Sequence, residues 1–514
     1  MAADTRVELN AIDRVVSFFS PAAGVRRLAA RQVMNQYEAA KPSRLRKGAR
    51  DFRSPDAQVQ RDAVTLRAQA RNLEQNHDIA RGALRTLVNN VVGPSGIGIE
   101  PQPRYLDGKI HDDYAKALRE AWRDWCLTPE VTHRHHYAKV QRMVASTWFR
   151  DGECFAQRLM GPVALLDHGT RVPYSIEMIE ADMVPMDYHV AERGIQQGIE
   201  RNTWGRPTAY WCYKAFPSGE TWSKRSFEVK RVQADRMHHI ASIDRIGQMR
   251  GVTSFASVIT RLEDIKDYEE SERIAAKVAA SLTAYVKKGG PDMFGDTSIE
   301  GTAKPGDAAR QLGMAPGMII TGLAPGEEIG MIDSNRPNPN LITFRGGQLR
   351  AVAAGLGGSY SSLARDYSGT YSAQRQELVE QWIHYAVLTD EFVGQFVQPV
   401  WKDFVLTAHL SGAVPMPADV DPASMDDALF VGQSMPWIDP LKEAMAWLSL
   451  VQAGFASEVE VMRKRGANPR DVLEQINAHR KKSGEMELVF SSDFANTAKN
   501  NQRNSDAPEA QEGE

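Results

Sequence analysis

The feature that most constrains the fold is a run of 37 residues without glycine or proline, Val252–Lys288. Those two residues interrupt helices, so their absence over this length favours one continuous helix, with Thr253 or Ser254 as its N-cap. About 33 residues at 1.5 Å each give a rod of roughly 50 Å, whereas helices in globular proteins average about 11 residues. One apolar stripe follows the helical spacing. It consists of Phe255, Val258, Ile259, Leu262, Ile265, Ile274, Val278 and Leu282.

The polar side of this predicted helix is acidic in its middle. Six carboxylates outnumber three cations: Glu263, Asp264, Asp267, Glu269, Glu270 and Glu272 against Arg261, Lys266 and Arg273. On the residues alone, this pattern is typical of the solvated face of a long helix.

The chain before this run predicts an α+β unit over residues 1–250. Residues 26–71 form a basic arm with a local charge of +8, which is either a solvated surface or a footprint for phosphate or an acidic partner. Apolar periodicity then predicts helices, followed by short strands separated by turns. The helices cover 56–92, 111–126 and about 136–151, and the strands cover Cys154–Met160, Tyr174–Ile179, Gly198–Asn202 and Thr208–Tyr213, the last two forming a hairpin that turns at Trp204–Pro207.

The chain after this run is punctuated by glycine and proline. Residues 287–340 form a Gly/Pro-rich insertion with two short strand-like runs, Met318–Gly322 and Ile329–Ile332. A helix is predicted over Ile342–Leu356, then a polar loop, then a long helix from Tyr371 to about His409 that Gly394 and Pro399 kink. Three C-terminal helices start at the caps Asp439, Ser457 and Asn468, and the polar residues 483–514 are predicted to be a disordered acidic tail.

Composition excludes several classes of function. The net charge is −3, so contact with nucleic acid must come from local patches or from a shape that encloses it. Three cysteines, Cys126, Cys154 and Cys212, predict buried thiols in a reducing compartment. No phosphate-binding loop, defensible zinc spacing, signal peptide or membrane span is found in the sequence. We therefore predict a cytoplasmic, soluble chain that is not an enzyme and has no cofactor.

Several segments, taken in order, resemble the portal proteins of lambda-like tailed bacteriophages. They are Asn76–Asn90 (NHDIARGALRTLVNN), Ile179–Asp182 (IEAD), Trp204–Pro207 with Ala209–Trp211, Gln248–Val252 (QMRGV), Ala275–Ala280, Pro325–Glu327, and Ala353–Gly357 leading into Asp366–Ser372 (DYSGTYS) and Arg375. Each motif is weak alone, but their shared order is specific and covers residues 25–480. The chain departs from the family where Tyr371 directly follows Thr370, a place where members often have Asn.

The resemblance implies a portal-type fold: α+β, mainly helical, with wing, stem, clip and crown parts and long channel-lining helices. It implies a ring, usually of twelve copies, at one vertex of the procapsid. The implied parts are a basic arm and wing at 1–250, a first stem helix at 251–286, a clip at 287–337, a second stem helix at 338–357, a tunnel loop at 358–371, a kinked helix and helical crown at 372–482, and the tail at 483–514.

A channel for double-stranded DNA, as the resemblance implies, accounts for the acidic residues of the predicted helix. Twelve helices about 10 Å wide, side by side, leave a hole of roughly 28 Å, which admits a duplex of roughly 20 Å; eleven or thirteen copies also fit. An acidic wall repels phosphate and keeps the duplex sliding, because each cation contact adds salt-dependent affinity. The expected lining residues are Glu263, Asp267 and Glu270 on the stem and Arg365, Asp366, Tyr367, Ser368, Thr370 and Tyr371 on the loop.

The resemblance also implies partners: further copies of the chain, viral DNA, a separate ATP-hydrolysing terminase, capsid and scaffolding proteins, and head-completion or tail adaptor proteins, with no membrane. The expected location is the virion, at the portal vertex of the capsid, and the host cytoplasm during assembly. The alternative left open is a metal-dependent DNA-processing enzyme, such as a nuclease, that uses clustered carboxylates.

Overall fold

The computed structural model describes residues 52–217, 228–280, 284–288, 327–331, 340–435 and 439–486, with Leu488 and four residues between Phe18 and Ala23. The chain divides into two units, Met1–Ala57 and Gln58–Glu514, and nearly all described residues belong to the second. The helices are α1 Pro55–Asn76, α2 Asp78–Val91, α3 Asp112–Trp125, α4 Tyr137–Asp151, α5 Ile259–Ala280, α6 Leu341–Gly355, α7 Tyr360–Ala364, α8 Tyr371–Phe392, α9 Gln398–Leu410, α10 Pro440–Gln452, α11 Glu458–Lys464 and α12 Pro469–Glu485.

The strands form small antiparallel sheets, so the fold is α+β and mainly helical, as predicted. They are β1 Gly98–Pro101, β2 Glu153–Met160, β3 Tyr174–Glu180, β4 Ile195–Gln196, β5 Ile199–Arg201, β6 Pro207–Tyr213, β7 Val229–Gln233, β8 Met237–Ala241, β9 Ala284–Lys288, β10 Glu327–Met331 and β11 Ala428–Val431. The sheets have the orders β3-β2-β8, β4-β5-β6-β7, β1-β11 and β9-β10. The predicted hairpin is confirmed as β5 paired with β6 across a register shift after Glu200.

The predicted helix over 56–92 is two helices, because His77 breaks it. His77 has an extended backbone and caps α2, where its Nδ1 accepts a hydrogen bond from the Ile79 amide at 3.2 Å. Its Nε2 lies 3.0 Å from the carbonyl oxygen of Leu262 on α5, to which it donates. A buried side chain therefore uses the break to join α2 to α5.

Aromatic residues fill the main core where α3, α4 and α9 meet. The Trp122 ring stacks on Trp125 at 4.7 Å between ring centroids and meets Trp401 edge-on at 5.2 Å. The buried indole of Trp125 donates to the carbonyl oxygen of Tyr174 at 2.8 Å, which fixes β3 against α3. This core places the sheet β3-β2-β8 against the helices.

The prediction of one helix across 251–286 is wrong at both ends. Residues 254–258 form turns, because the Ser254 amide and the Thr253 hydroxyl bond to the carbonyl oxygen of Phe149 at the end of α4. At the other end, 284–288 form strand β9, which pairs with β10. The helix α5 is therefore 22 residues long, and tertiary contacts rather than glycine or proline set its start.

Helix α5 packs antiparallel to α6. Its stripe residues Leu262 and Ile265 are buried, whereas Ile274 is 55% exposed. Arg261 donates to Gln348, and Glu269 forms an ion pair with Arg345. Helices α5 and α6 thus form a two-helix unit over the described residues of the predicted stem. Most of the predicted clip, with the predicted strand Met318–Gly322, lies outside the described residues.

The C-terminal helices begin at the predicted caps. The side chains of Asp439, Ser457 and Asn468 each accept a backbone amide at the starts of α10, α11 and α12. Between α8 and α9 the helix continues through one wide turn, Val393–Val397, which includes Gly394 at the predicted kink. The predicted tail from 489 onward lies outside the described residues.

The three cysteines of the chain are free thiols. Cys154 and Cys212 are buried, Cys126 is half-buried, and burial raises the pKa of Cys212 to about 11.

Among the helices described here, none combines the length and the apolarity that crossing a bilayer requires.

Candidate functional site

The predicted acidic residues of the stem lie on one face of α5. Glu263, Asp267 and Glu270 are four and three residues apart, which places them above one another on a helix. Asp267 and Glu270 are exposed and Glu263 is half-buried. None of the three forms an ion pair within the described ranges, whereas neighbouring Glu269 is held by Arg345. The arrangement is a line of free negative charge on the side of the helix away from Leu262.

The predicted tunnel loop is more structured than expected. Residues 360–364 form the short helix α7, which Ser359 caps by accepting the Ser362 amide at 3.2 Å. Ser361 is buried and donates to Glu377 of α8, and the hydroxyls of Ser359 and Ser362 both contact Gln381. The first half of the predicted tunnel loop is therefore a short helix packed against α8.

Arg365 ends this short helix in the left-handed region, with φ of +55°. Its Nη2 donates to the hydroxyl of Thr86 on α2 at 3.3 Å. Asp366 turns the other way and accepts from the Ser368 amide at 3.1 Å and from the Tyr360 hydroxyl at 3.2 Å. The side-chain and backbone hydrogen bonds of Ser368, with that of Tyr360, lower the pKa of Asp366. Within one chain, Arg365 and Asp366 thus have separate partners.

The remaining predicted loop residues are exposed. Tyr367 is 59% and Tyr371 is 56% exposed, and Ser368 is also at the surface. Thr370 caps α8, where its hydroxyl accepts the Ala373 amide at 3.4 Å. The rings of Tyr367 and Tyr371 are therefore exposed, and the hydroxyl of Tyr371 accepts a hydrogen bond from Arg375 at 3.4 Å.

A buried charge cluster that the sequence pattern does not reveal is centred on Glu153, which is fully buried beside Arg250 and Arg67. The Nε of Arg250 lies 2.8 and 2.9 Å from the two carboxylate oxygens, and Nη2 of Arg67 lies 3.0 Å away. His239 and the Gly251 amide complete the shell at 3.1 and 3.0 Å. Burial alone raises the pKa of Glu153, but the charge of Arg250 and the hydrogen bonds override it and hold that pKa far below its ordinary range.

A second carboxylate, Asp151, extends the cluster. Its pKa is lowered, because hydrogen bonds from Arg150 and Arg71 outweigh the effect of burial. Asp182 bonds to both Arg67 and Arg71, at 2.9 and 2.5 Å. The cluster thus joins α1, the end of α4, β2 and the segment that leads into α5.

Two of the motifs noted in the sequence meet in this cluster. Asp182 belongs to IEAD and Arg250 to QMRGV, and Arg250 also donates to the carbonyl oxygens of Gln197 and Val184. Arg67, which the sequence places in a basic surface arm, is 2% exposed. The sequence signal that could identify this cluster is the motifs themselves, because each has a charged residue beside apolar neighbours.

No group of three or more His, Cys, Asp or Glu side chains is arranged to hold a metal ion in the part of the chain that the structure covers.

Comparison with known proteins gives a consistent family. A family model described as phage portal protein, lambda family, matches residues 41–388. A probable portal protein of Halomonas phage phiHAP-1 is 24% identical over 433 residues, which is 82% of this chain and 81% of that protein. Portal protein B of Escherichia phage lambda is 22% identical over 458 residues, 82% of this chain and 84% of that protein.

Solved structures also match, at low similarity. A chain from the neck of a native GTA particle, computed with C12 symmetry, has a TM-score of 0.41 and 11% identity, and the match covers 82% of this chain and 97% of that one. A chain from the virion of a native gene transfer agent particle has a TM-score of 0.40 and 11% identity, with 79% and 94% covered.

Proposed function

Because this chain belongs to the lambda family of phage portal proteins, we propose that it forms a closed ring at one vertex of a capsid, through which double-stranded DNA enters and leaves. Its function is that of a portal protein. What we propose beyond this is that the chain forms a ring, that the ring has about twelve copies, and that DNA passes through it.

The observation that carries the proposal is the line of unpaired carboxylates on α5. Glu263, Asp267 and Glu270 share one face, while the opposite side of α5 packs on α6. A ring of such helices presents an acidic wall to the duplex, and like charge keeps the phosphates from adhering along the channel. The loop after α6, which carries Tyr367 and Tyr371, then contacts the duplex that the acidic face of α5 repels.

Exposed apolar stripes support assembly with further copies. Helix α10 buries none of its residues within one chain, yet Leu441, Met445 and Leu448 form a stripe that is 57–67% exposed. Helix α8 exposes a second stripe, with Ile383 at 63% and Val387 at 52%. Two different apolar faces on one subunit are what a head-to-tail ring requires, because each subunit then contacts its two neighbours through different surfaces.

The test is the mass and shape of the purified protein. Light scattering should give a particle near 685 kDa, about twelve copies of the 57.1 kDa chain, and negative-stain images should show rings with a central hole of roughly 28 Å. A monodisperse monomer at micromolar concentration contradicts the proposal. Incubating linear duplex with Mg²⁺ or Mn²⁺ tests the alternative: cleavage that EDTA abolishes favours a nuclease.

The proposal extends to partners and place. A ring of this kind receives DNA from a separate terminase that hydrolyses ATP, and later binds head-completion or tail adaptor proteins, both through the clip at 287–337. Capsid and scaffolding proteins surround the wing. The chain then acts structurally rather than catalytically, in the virion and, during assembly, in the host cytoplasm.

A further inference from the structure

We propose that Arg81 and Arg85 of α2, together with Arg365, bind the phosphate backbone of double-stranded DNA beside the loop. This inference rests on the proposed channel function and places a binding site on α2, outside the acidic face of α5. Both arginines belong to the segment Asn76–Asn90, whose role was unassigned.

The fold explains why these arginines point outward. The apolar side of α2, with Ile79, Ala83 and Leu87, is buried in the main core. Arg81 and Arg85 lie one turn apart on the opposite side and are both exposed. Four residues at 1.5 Å separate them by about 6 Å along the helix, close to the roughly 6.8 Å that two nucleotide steps rise along the duplex axis.

Neither guanidinium has a partner among the residues that the structure describes. By contrast, Arg67 and Arg71, one helix earlier, are both held by carboxylates. Like charges one turn apart on a helix repel each other. Two arginines without acidic partners therefore destabilise α2 unless an anion binds between them. Arginine suits phosphate because its planar fork donates two parallel hydrogen bonds.

Arg365 adds a third guanidinium from a different element. It contacts Thr86, the residue after Arg85, so the loop and α2 share one surface. The nearby carboxylate of Asp366 is engaged by Ser368 and Tyr360 and forms no ion pair with these arginines. The surface therefore carries more positive than negative charge, unlike the acidic face of α5.

The surroundings favour nucleic acid over a protein partner. The exposed side of α2 carries no large apolar residue; it consists of Asp78, Arg81, Gly82, Arg85, Thr86 and Asn89. Protein interfaces have an apolar centre, whereas nucleic-acid interfaces are polar and positively charged. Because the contacts are to phosphate, binding is independent of base sequence.

The experiment compares assembled rings of three double variants with wild type. Arg81→Gln/Arg85→Gln removes both charges, Arg81→Lys/Arg85→Lys keeps them, and Arg193→Gln/Arg236→Gln removes two exposed charges from the wing as the matched control. Affinity for a short fluorescent duplex is measured by anisotropy from about 50 to about 300 mM potassium chloride. Each released phosphate contact lowers the slope of log affinity against log salt by about 0.9, so the glutamine pair should lower it by about 1.8.

We expect the control to keep the wild-type slope and the lysine pair to keep the slope while binding less tightly. An unchanged slope in the glutamine pair overturns the inference. So does a loss of rings in the glutamine pair that Glu263→Gln/Asp267→Gln restores by removing the carboxylates left unpaired, because that outcome identifies the arginines as contacts to the α5 face of another copy. If wild-type protein forms no ring or its rings bind no duplex, the proposed function fails first, which keeps the two failures distinct.

Discussion

Gly152 and Gly251 cross so closely that a Cβ on Gly251 would lie 2.0 Å from the carbonyl oxygen of Gly152. The reverse also holds, since a Cβ on Gly152 would lie 2.3 Å from the carbonyl carbon of Val252, and Gly152 has φ of +88°. Glu153 and Arg250 are the neighbours of these glycines on the two crossing segments. The backbone crossing therefore brings the two buried charges together.

Replacing the second glycine tests this crossing. Gly251→Ala places a methyl group against a backbone oxygen, which neither segment can avoid without moving. We expect a loss of about 1–3 kcal/mol in unfolding free energy, measured as a lower apparent Tm. The matched control is Gly347→Ala in α6, where nothing lies within 4 Å of the added Cβ and the change improves helix propensity. Equal Tm values for the two variants contradict the packing argument.

The buried ion pairs predict a second contrast. Arg250→Met removes one partner from a fully buried carboxylate, and such a change costs about 3–5 kcal/mol. Arg231→Met breaks an exposed pair with Glu200 that has similar two-point geometry, with contacts of 2.9 Å. We expect the second variant to keep nearly the wild-type Tm, because solvent screens that pair. A similar Tm in both variants shows that burial does not set the strength of these pairs.

The same cluster predicts a pH dependence. The pKa of Glu153 is lowered on folding from its ordinary value of 4.5, and that of Asp151 from 3.8. A lowered pKa gives stability that is complete above the unfolded value and is lost as the pH falls through the folded value. We therefore expect Tm to fall as the pH drops below about 4.5, and the Tm gap between wild type and Glu153→Gln to narrow there. A gap that stays constant from pH 7 to pH 3 contradicts this assignment.

Local pattern predicted most element types but not the long-range contacts. The helices at 111–126 and 136–151 and the strands at 154–160 and 174–179 follow from apolar spacing, and each cap from Asp439 onward follows from one side chain. Arg67 and Glu153 are 86 residues apart in sequence, so no window around either one shows that they meet. For the same reason the sequence pattern includes Arg67 and Arg71 in a basic surface arm, although Arg67 is buried.

The boundaries of helix α5 show the same limit in another form. The absence of glycine and proline over Val252–Lys288 predicts one continuous helix, and propensity alone supports that prediction. The start of α5 is instead decided by bonds from Thr253 and Ser254 to Phe149, and its end by the pairing of β9 with β10. A helix boundary that depends on tertiary contacts is invisible to propensity.

The acidic face of α5 predicts an effect on DNA without an effect on assembly. Asp267→Lys/Glu270→Lys places cations where the duplex is proposed to slide, and each added phosphate contact increases affinity in a salt-dependent way. We expect rings of normal mass that package DNA more slowly and release it less readily at low salt. The control Glu192→Lys/Asp235→Lys makes the same charge change at two exposed residues outside α5. Packaging that is equally slow in both variants assigns the effect to net charge rather than to the channel.

Arg365→Glu tests the loop. The substitution places one negative charge per copy where the DNA is proposed to pass, and it removes a hydrogen bond to Thr86 at the surface. Because Asp366 of the same chain has other partners, we expect rings to assemble normally while the length of DNA packaged or retained falls. Arg134→Glu, at an exposed arginine between α3 and α4, makes the same charge change and should leave both assembly and packaged length unchanged.

Assembly and packaged length, measured on the same Arg365→Glu sample, separate the possible roles of this residue. If Arg365 instead pairs with Asp366 of an adjacent copy, the variant places two carboxylates together and the ring itself weakens, with lower mass by light scattering at moderate salt. Raising the salt concentration screens that repulsion and restores the ring, whereas a defect in contact with DNA persists in intact rings. If assembly and packaged length both match wild type, the loop residue has neither role.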